Sequence, residues 1–163
     1  MSTQSPFLIA GVLALATFSA AQSKISGTMR CGRPDTDQQL NVGDSPGHTI
    51  AINQTTCTWT KPLVIGGIQD TEGVSSQISE NQGSNFTSHG YFVDTMANGD
   101  KVFLRYDATV TLADGEVQSV QGKWTYTGGT GKFQGIQGDG TFSGEPGGSG
   151  ASYELDGEYS LPK

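Results

Sequence analysis

Two histidines, His48 and His89, are the side chains of this sequence that could exchange a proton near neutral pH. His89 lies in a predicted strand over residues 86–96, where it alternates with Tyr91 and Val93. Because a strand repeats every two residues, these three side chains are expected to share one face. If that face points into a ligand cavity, the imidazole could act as an acid or a base. The alternative is a half-buried histidine bonded to the backbone.

Metal and nucleotide chemistry find little support among the remaining polar residues. Asp44 precedes His48 by four positions, but Ser45-Pro46-Gly47 between them is typical of a turn. Gly131-Lys132 lacks the earlier glycine and the following Ser or Thr that a phosphate-binding loop requires. Gly-x-Ser-x-Gly, His-Glu-x-x-His and paired-cysteine zinc patterns are absent from the sequence. We therefore expect neither a metal nor a cofactor.

Two sets of charged residues have the spacing of a strand face. Glu154, Asp156 and Glu158 alternate with apolar residues near the C-terminus, which predicts a solvated face rather than a cation site. Arg105 and Asp107 also share a predicted face. For this second set we expect an ion pair on the exterior, with a pair inside the protein as the alternative.

The elements that must position these groups are strands almost throughout, since no segment shows a convincing 3.6-residue apolar period. Asn98-Gly99 separates two of them and indicates a tight hairpin. We count seven to nine strands, which are predicted over residues 25–31, 48–53, 57–60, 74–78, 86–96, 101–112 and 116–127, and from Tyr153 to Leu161. A closed antiparallel β-barrel of about eight strands would leave no exposed sheet edges, and a sandwich is the alternative fold.

Aromatic side chains are expected on the inner face of such a barrel. Tyr106 shares a face with Leu104 and Val110, and Trp124 shares one with Tyr126. The simplest interpretation makes them core residues. An eight-stranded barrel can also hold one small ligand, in which case the candidate contacts are Tyr91, Tyr106, Trp124 and Tyr126.

A glycine-rich stretch follows Trp124 and carries the one family resemblance of the chain. Its letters, Thr127-Gly-Gly-Thr-Gly-Lys-Phe-Gln-Gly-Ile-Gln-Gly138, resemble the turn between two late strands of the allene oxide cyclase and dirigent-like β-barrels. The family pattern is Gly-Gly-(Thr/Ala)-Gly-x-Phe-x-x-(Ala)-x-Gly. Closely spaced glycines also fit the strong local bends that barrel closure needs. The resemblance supports an all-β, calycin-like barrel.

The resemblance implies chemistry that relies on the shape of the cavity. Allene oxide cyclases hold an unstable fatty-acid epoxide in a cyclising conformation, assisted by a buried carboxylate and a bound water. Dirigent relatives steer the coupling of radicals or quinone methides. The family's carboxylate lies on an early strand, where several acidic residues compete for the role: Asp35, Asp37, Asp44, Asp70 and Glu72. Glu72 and His89 are the candidate catalytic residues, and a homo-oligomer, dimer or trimer, is typical of such barrels.

The first 21 residues have the composition of a signal peptide. Phe7–Phe18 is almost entirely apolar but short for a membrane span, and Ser19-Ala20-Ala21 predicts cleavage after Ala21. A retained anchor is the alternative. Residues 22–163 are then one β-barrel domain, secreted or periplasmic and away from membranes, with sequons at Asn53 and Asn85. Its net charge of −7, without a basic stripe, argues against nucleic acid as a partner.

Cys31 and Cys57 are the only cysteines. In an oxidising compartment an even pair predicts one disulfide, which would join the N-terminal region to the strand around Trp59. Two separately buried thiols are the alternative.

Three functions fit these observations. The first is an exported barrel that binds a small apolar or aromatic metabolite in its lumen without transforming it. The second is an isomerase, cyclase or coupling-steering protein of the allene oxide cyclase or dirigent type. The third is a structural or stress-related protein with a filled barrel that acts through its exterior.

Overall fold

The structure is a computed structural model that describes residues 22–83, 85–114 and 116–162. The predicted signal peptide, residues 1–21, lies outside the described residues. The described residues contain ten strands: β1 (Ser23–Cys31), β2 (Thr36–Asn41), β3 (Thr49–Lys61), β4 (Val64–Ile65), β5 (Ile68–Gln82), β6 (Asn85–Met96), β7 (Lys101–Ala113), β8 (Glu116–Gly129), β9 (Gln137–Gly147) and β10 (Gly150–Ser160). In these ranges no helix is long and apolar enough to cross a membrane.

Eight of the strands form a closed antiparallel barrel, as predicted. From β5 to β10 each strand pairs with the next, and β10 pairs with β1. The ring closes through β3, which pairs with β5 along Thr49–Thr58 and with β1 around Cys57. The two short strands β2 and β4 pair outside this ring, with β3 and β5 respectively. The sandwich alternative is therefore wrong.

Most predicted strands lie where the sequence placed them, but β3 is an exception. The predicted strands 48–53 and 57–60 are one continuous strand, Thr49–Lys61. The run between them, Gln54 to Thr56, lacks apolar residues, so an apolar alternation does not mark it as strand. It belongs to a strand because β5 pairs with it along its whole length. The predicted strand 74–78 is likewise the middle of a longer one, Ile68–Gln82.

The predicted disulfide is present and ties β1 to β3. Cys31 and Cys57 are register partners on these strands, with Cα atoms 4.1 Å apart and both side chains buried. Since β1 and β3 complete the ring, the bridge fixes the closure of the barrel covalently. Closing a loop of this length, with a sequence separation of 26, stabilises a fold by about 3 kcal/mol.

The glycine-rich stretch seals one end of the barrel. After β8 the chain makes a 3₁₀ turn at Gly131–Phe133, and Phe133 inserts into the core with no exposed surface. Gly131 has a φ of 51°, in the left-handed region, and lies against the Asp100 side chain, where a side chain of its own would not fit. Asp100 in turn accepts a hydrogen bond from the Lys132 amide, at 3.1 Å. The turn is therefore anchored to the β6–β7 hairpin.

The interior divides into two halves that differ in packing. At the end sealed by Phe133, the inward side chains are almost fully buried; this packed half includes Leu63, Ile65, Asp70, Asp94, Met96, Val102, Tyr126, Phe133 and Ile136. At the opposite end, where β5 meets β6 and β9 meets β10, the interior holds a cavity. This end is called the open half below.

Candidate functional site

The cavity of the open half has a volume of about 340 Å³. That is near the lower limit of small-molecule sites, which occupy roughly 300–1,000 Å³. Its floor consists of inward side chains at mid-barrel, Met29, Phe92, Leu104, Trp124 and Leu155. Its rim reaches the strand ends at Pro34, Phe86, Val117 and Pro146. The site is thus a pocket that runs along the barrel axis and ends at the side chains of the packed half.

One wall of the cavity is polar. It is formed by β3, β5 and β6, which contribute Asn53, Thr55, Ser75, Gln77 and Ser88. Tyr106 reaches this wall from β7: its hydroxyl donates to Gln77 Oε1 at 2.7 Å. Ser75 Oγ lies 2.6 Å from the same hydroxyl and donates to it, because the phenol proton is already engaged. The three side chains form one hydrogen-bonded group, the Tyr106 network.

The opposite wall is apolar and aromatic. Phe142 packs edge-on against Tyr106 and Tyr153, with ring centroids 5.8 and 6.2 Å apart. Below these rings lies Trp124 of the cavity floor, which is almost fully buried. Aromatic rings of this kind bind planar apolar groups through edge and face contacts.

Glycines on neighbouring strands make room for these rings. Each ring has a glycine as its direct register partner: Tyr106 with Gly90, Trp124 with Gly140, Phe142 with Gly122 and Tyr153 with Gly144. In every pair a Cβ on the glycine would collide with the ring. These four glycines therefore have a packing role, since each of the four rings lies flat over a neighbour without a side chain.

Charged side chains are missing from the cavity wall. Among the described residues that line it there is no Asp, Glu, Lys, Arg or His. Burial raises the pKa of the Tyr106 hydroxyl to about 12 and also raises the pKa of Tyr153. Both phenols therefore keep their protons at neutral pH, so the wall offers hydrogen bonds but no ready acid or base.

Two carboxylates are buried in the packed half, below the cavity floor. Asp94 is 1% exposed and accepts a hydrogen bond of 2.8 Å from the indole of Trp59. Asp70 is 2% exposed, and within the described part of the chain neither of its carboxylate oxygens has a hydrogen-bond partner. The backbone amides of Leu63 and Asp70 lie near it without meeting hydrogen-bond geometry. The hydroxyl of Tyr126 is equally without a partner in that region.

Burial dominates the ionisation of these groups. It raises the pKa of Asp94 to about 7 against the opposing hydrogen bond from Trp59. For Asp70 burial comes first and the charge of Asp94 second, and together they raise the pKa to about 8. Burial, followed by the charges of Asp94 and Asp70, raises the pKa of Tyr126 well above its ordinary value. Near neutral pH this cluster carries at most part of its formal charge.

Two of the four predicted ligand contacts line the cavity, Tyr106 and Trp124. Tyr126 points inward but lies in the packed half. Tyr91 is on the outer surface and 63% exposed, so its predicted inward position is wrong. On β6 the inward positions belong to the even-numbered residues, including Ser88, Gly90 and Phe92.

The candidate catalytic residues also lie outside the lumen. The side chain of His89 is 62% exposed, and its Nδ1 is 3.7 Å from the exposed carboxylate of Asp107. The predicted inward face for His89 is therefore wrong. Arg105 and Asp107 are both on the exterior, as expected, but Asp107 contacts His89 and, among the described residues, forms no ion pair with Arg105. Glu72 is exposed, just after a register shift between β5 and β6. Of the early-strand carboxylates, Asp70 alone is buried.

His48 occupies a position that its turn-like surroundings did not suggest. Its Nδ1 is 2.6 Å from Asp44 and its Nε2 is 2.8 Å from Glu80 of β5. The imidazole stands between the two carboxylates, so they do not converge on one point as metal ligands must. The contact instead ties the β2–β3 turn to β5.

Sequence reasoning missed Ser75, Gln77, Asp94, Phe142 and Tyr153. Two of these had a signal. Phe142 and Tyr153 each pair with a glycine, and an aromatic residue opposite a glycine on the inner face marks a ring packed flat against the sheet. Ser75 and Gln77 had none, because polar residues at inward positions look like a strand facing solvent.

No family model and no curated protein matches this chain. Among solved structures, a pterocarpan synthase dirigent protein is similar with a TM-score of 0.51 and 13% identity, over 96% of this chain and 98% of that one. A protein of unknown function from the DUF3224 family of Shewanella oneidensis MR-1 gives a TM-score of 0.49 at 11% identity, over 88% of this chain and 99% of that one. The chain has a dirigent-like β-barrel fold.

Proposed function

We propose that this protein binds a small apolar or aromatic molecule in the open half of its barrel. The observation that carries this proposal is the cavity of about 340 Å³ with an aromatic wall. A protein that needed only a stable barrel would gain by filling this space, because each buried methylene contributes about 0.8 kcal/mol. The packed half of the same barrel is filled in this way.

Native mass spectrometry of the protein purified from its own exporting cells tests this function. A retained ligand would add a mass on the order of a few hundred daltons, which is what a cavity of this size accommodates. The mass should disappear when the protein is denatured. The same spectrum reports the oligomeric state, for which a dimer or trimer is our expectation.

A lumen-filling variant identifies the binding place. Val120 lines the cavity and Gln121 next to it points outward, so Val120→Trp should release the ligand while Gln121→Trp retains it. Phe86→Trp at the rim, with outward Thr87→Trp as its control, is a second pair if the first disturbs folding. Retention of the ligand by both filling variants would contradict binding in the lumen.

A second candidate is an isomerase, cyclase or coupling-steering activity on a small hydrophobic substrate. The observation that favours it is the Asp70–Asp94 pair, which lies just below the floor residue Phe92 and has pKa values that burial raises to about 8 for Asp70 and about 7 for Asp94. Phe92 separates the carboxylates from the cavity, so this activity requires the floor to move. The test is the enantiomeric composition of products formed from an allene oxide or a phenoxyl radical generated in the presence of the protein. A racemic product removes this candidate.

The third candidate, action through the exterior, has one supporting feature. Apolar side chains meet across the outer faces of β2, β3 and β5, where Leu40 pairs with Ile50 and Ile52 pairs with Ile78. All four are exposed, Leu40 by 72%. Contiguous exposed apolar surface often marks an interaction site. The cavity weighs against the filled barrel that this candidate assumed.

Export is part of the proposal. It is supported by the apolar segment Phe7–Phe18 and by the disulfide, which forms and persists in oxidising compartments. N-terminal sequencing of the protein recovered outside the cytoplasm should begin at Gln22. Recovery of a reduced, uncleaved chain from the cytoplasm would contradict it.

A further inference from the structure

The two walls of the cavity differ in a way that restricts the ligand. The wall from β3, β5 and β6 carries amide and hydroxyl groups, whereas the wall from β7 to β10 is aromatic and aliphatic. A molecule that fits both must be amphipathic across its width, with a flat apolar body and one polar edge. A pure hydrocarbon would leave the polar wall without partners.

The absence of charge on the described cavity wall sets a second restriction. A carboxylate or ammonium group moved from water into this space would find no side chain of opposite charge. Burying an unpaired ion costs several kcal/mol even after relaxation. The net charge of −7 adds a further disadvantage for anions. The ligand must therefore be neutral, which excludes fatty-acid anions with their head group inside.

The Tyr106 network has unused hydrogen-bonding capacity for a neutral polar edge. Its two internal bonds engage Gln77 through Oε1 and Ser75 as a donor. They leave the Gln77 amide with two N–H donors and the Ser75 hydroxyl with its lone pairs. A hydroxyl or carbonyl group can accept from the first, and a hydroxyl can also donate to the second.

We propose that the lumen selects an uncharged aromatic molecule with a hydroxyl or carbonyl edge, and that Ser75, Gln77 and Tyr106 determine this specificity. The inference rests on the proposed binding function and adds the class of ligand. Ser75 and Gln77 contact the polar edge. Tyr106 is a positioning residue that holds both side chains, and its ring lies flat over Gly90, which fixes the hydroxyl.

Three probes with one ring skeleton test the ligand class: naphthalene, 2-naphthol and 2-naphthoate. Binding is measured by calorimetry. We expect 2-naphthol to bind roughly three- to tenfold more tightly than naphthalene, the worth of one net hydrogen bond. Because its charge has no partner in the cavity, 2-naphthoate should bind at least about tenfold more weakly than naphthalene.

Matched variants test the residues. Tyr106→Phe and Ser75→Ala should bring the naphthol-to-naphthalene affinity ratio close to one, while the affinity for naphthalene changes little. Tyr91→Phe and Ser76→Ala are the controls, because both side chains point outward. Tyr91 lies on β6, which pairs with the strand of Tyr106, and Ser76 follows Ser75 on β5. Both controls should keep the parent ratio. If Tyr106→Phe or Ser75→Ala impairs folding, the other variant and its control still test the inference.

The outcomes separate this inference from the function beneath it. If all three probes bind alike, or if the ratio survives in both lumen variants, the selection of a neutral polar edge is overturned while binding in the lumen stands. If 2-naphthoate binds most tightly, the requirement for a neutral ligand is overturned. If no probe binds and no ligand is retained from the exporting cells, both proposals fail.

Discussion

The two halves of the barrel differ in the hydrogen bonding of their buried polar groups. In the open half, three polar side chains of the cavity wall, Ser75, Gln77 and Tyr106, bond to one another. In the packed half, Asp70 is more deeply buried, yet within the residues described its carboxylate has no partner. The same strands β5 to β7 supply both sets. The hydrogen-bonded Tyr106 network therefore borders empty space, whereas the unpartnered Asp70 lies in the close-packed core.

This difference indicates which half contributes stability and which is available to a ligand. A buried group without a partner costs about 1–3 kcal/mol, so the packed half can hold Asp70 only because its surroundings contribute much more. Those surroundings include Phe133, Ile65 and Val102, each at most 1% exposed. The open half lacks that packing, and its polar wall keeps the hydrogen bonds that a ligand can share.

The largest expected effect compares one phenylalanine from each half. Phe133→Ala should lower the free energy of unfolding by about 3–5 kcal/mol, because it leaves a void in a fully packed region. Phe142→Ala should cost about 1–2 kcal/mol, since the half-buried ring already borders a cavity. Urea denaturation of both variants measures the two losses. Equal losses would mean that the two halves do not differ in packing energy.

The second prediction concerns the pH dependence of the packed half. The pKa of Asp70 is raised on folding, so the folded chain holds this proton more tightly than the unfolded one. The stability gained from the neutral carboxyl is complete below pH about 4 and is lost as the pH rises through about 8. The expected loss between these limits is on the order of 2 kcal/mol, after allowance for relaxation around the charge.

Asn is the neutral analogue that isolates this effect. Asp70→Asn should flatten the fall in the free energy of unfolding between pH 5 and pH 9, which chemical denaturation across that range would measure. Glu72→Gln is the control, because Glu72 is exposed two positions along the same strand. If the parent and Asp70→Asn show the same profile, the carboxyl of Asp70 does not titrate in the core.

How far the sequence predicts this molecule depends on what each strand faces. On β7 the inward residues Val102, Leu104 and Val110 are apolar and their outward neighbours are mainly polar, so the alternation gave the correct inner face. On β6 the inward residues include Ser88, Gly90 and Asp94, whereas His89 and Tyr91 point outward. Gly90 is inward because the ring of Tyr106 lies over it. That requirement comes from another strand and has no trace in β6 itself.

The buried carboxylates show the same limit at the level of register. Asp70 and Asp94 are far apart in the sequence, and a register shift between β5 and β6 separates Asp70 from Glu72. Strict alternation without this shift would place Asp70 and Glu72 on the same face. Asp70 is buried and Glu72 is exposed, and only the pairing of β5 with β6 decides this difference. The barrel itself was accessible because it depends on many short-range signals that agree.

The third prediction, smaller in effect, concerns His48 at the end of the open half. Hydrogen bonds to Glu80 first and to Asp44 second raise the pKa of His48. Its contribution to stability is therefore complete below its unfolded pKa of about 6.5 and is lost as the pH rises through the higher folded value. The NMR titration of the His48 ring should show the raised pKa. Glu80→Gln should lower this pKa more than Asp44→Asn does. A pKa at or below the ordinary value in the parent protein would contradict the hydrogen bonds of His48 to Asp44 and Glu80.

The stability contributed by His48 and by Asp70 thus falls as the pH rises, but for different reasons: charged partners raise the pKa of His48, and burial raises the pKa of Asp70. Added salt distinguishes the two. The partners of His48 are about half exposed, 54% for Asp44 and 50% for Glu80, so added salt should screen their attraction and shrink the His48 effect. Asp70 owes its shift mainly to burial, which salt does not reach. Repeating both pH profiles at low and high sodium chloride measures this. An equal response of the two groups to salt would mean that the ends of the barrel do not differ electrostatically.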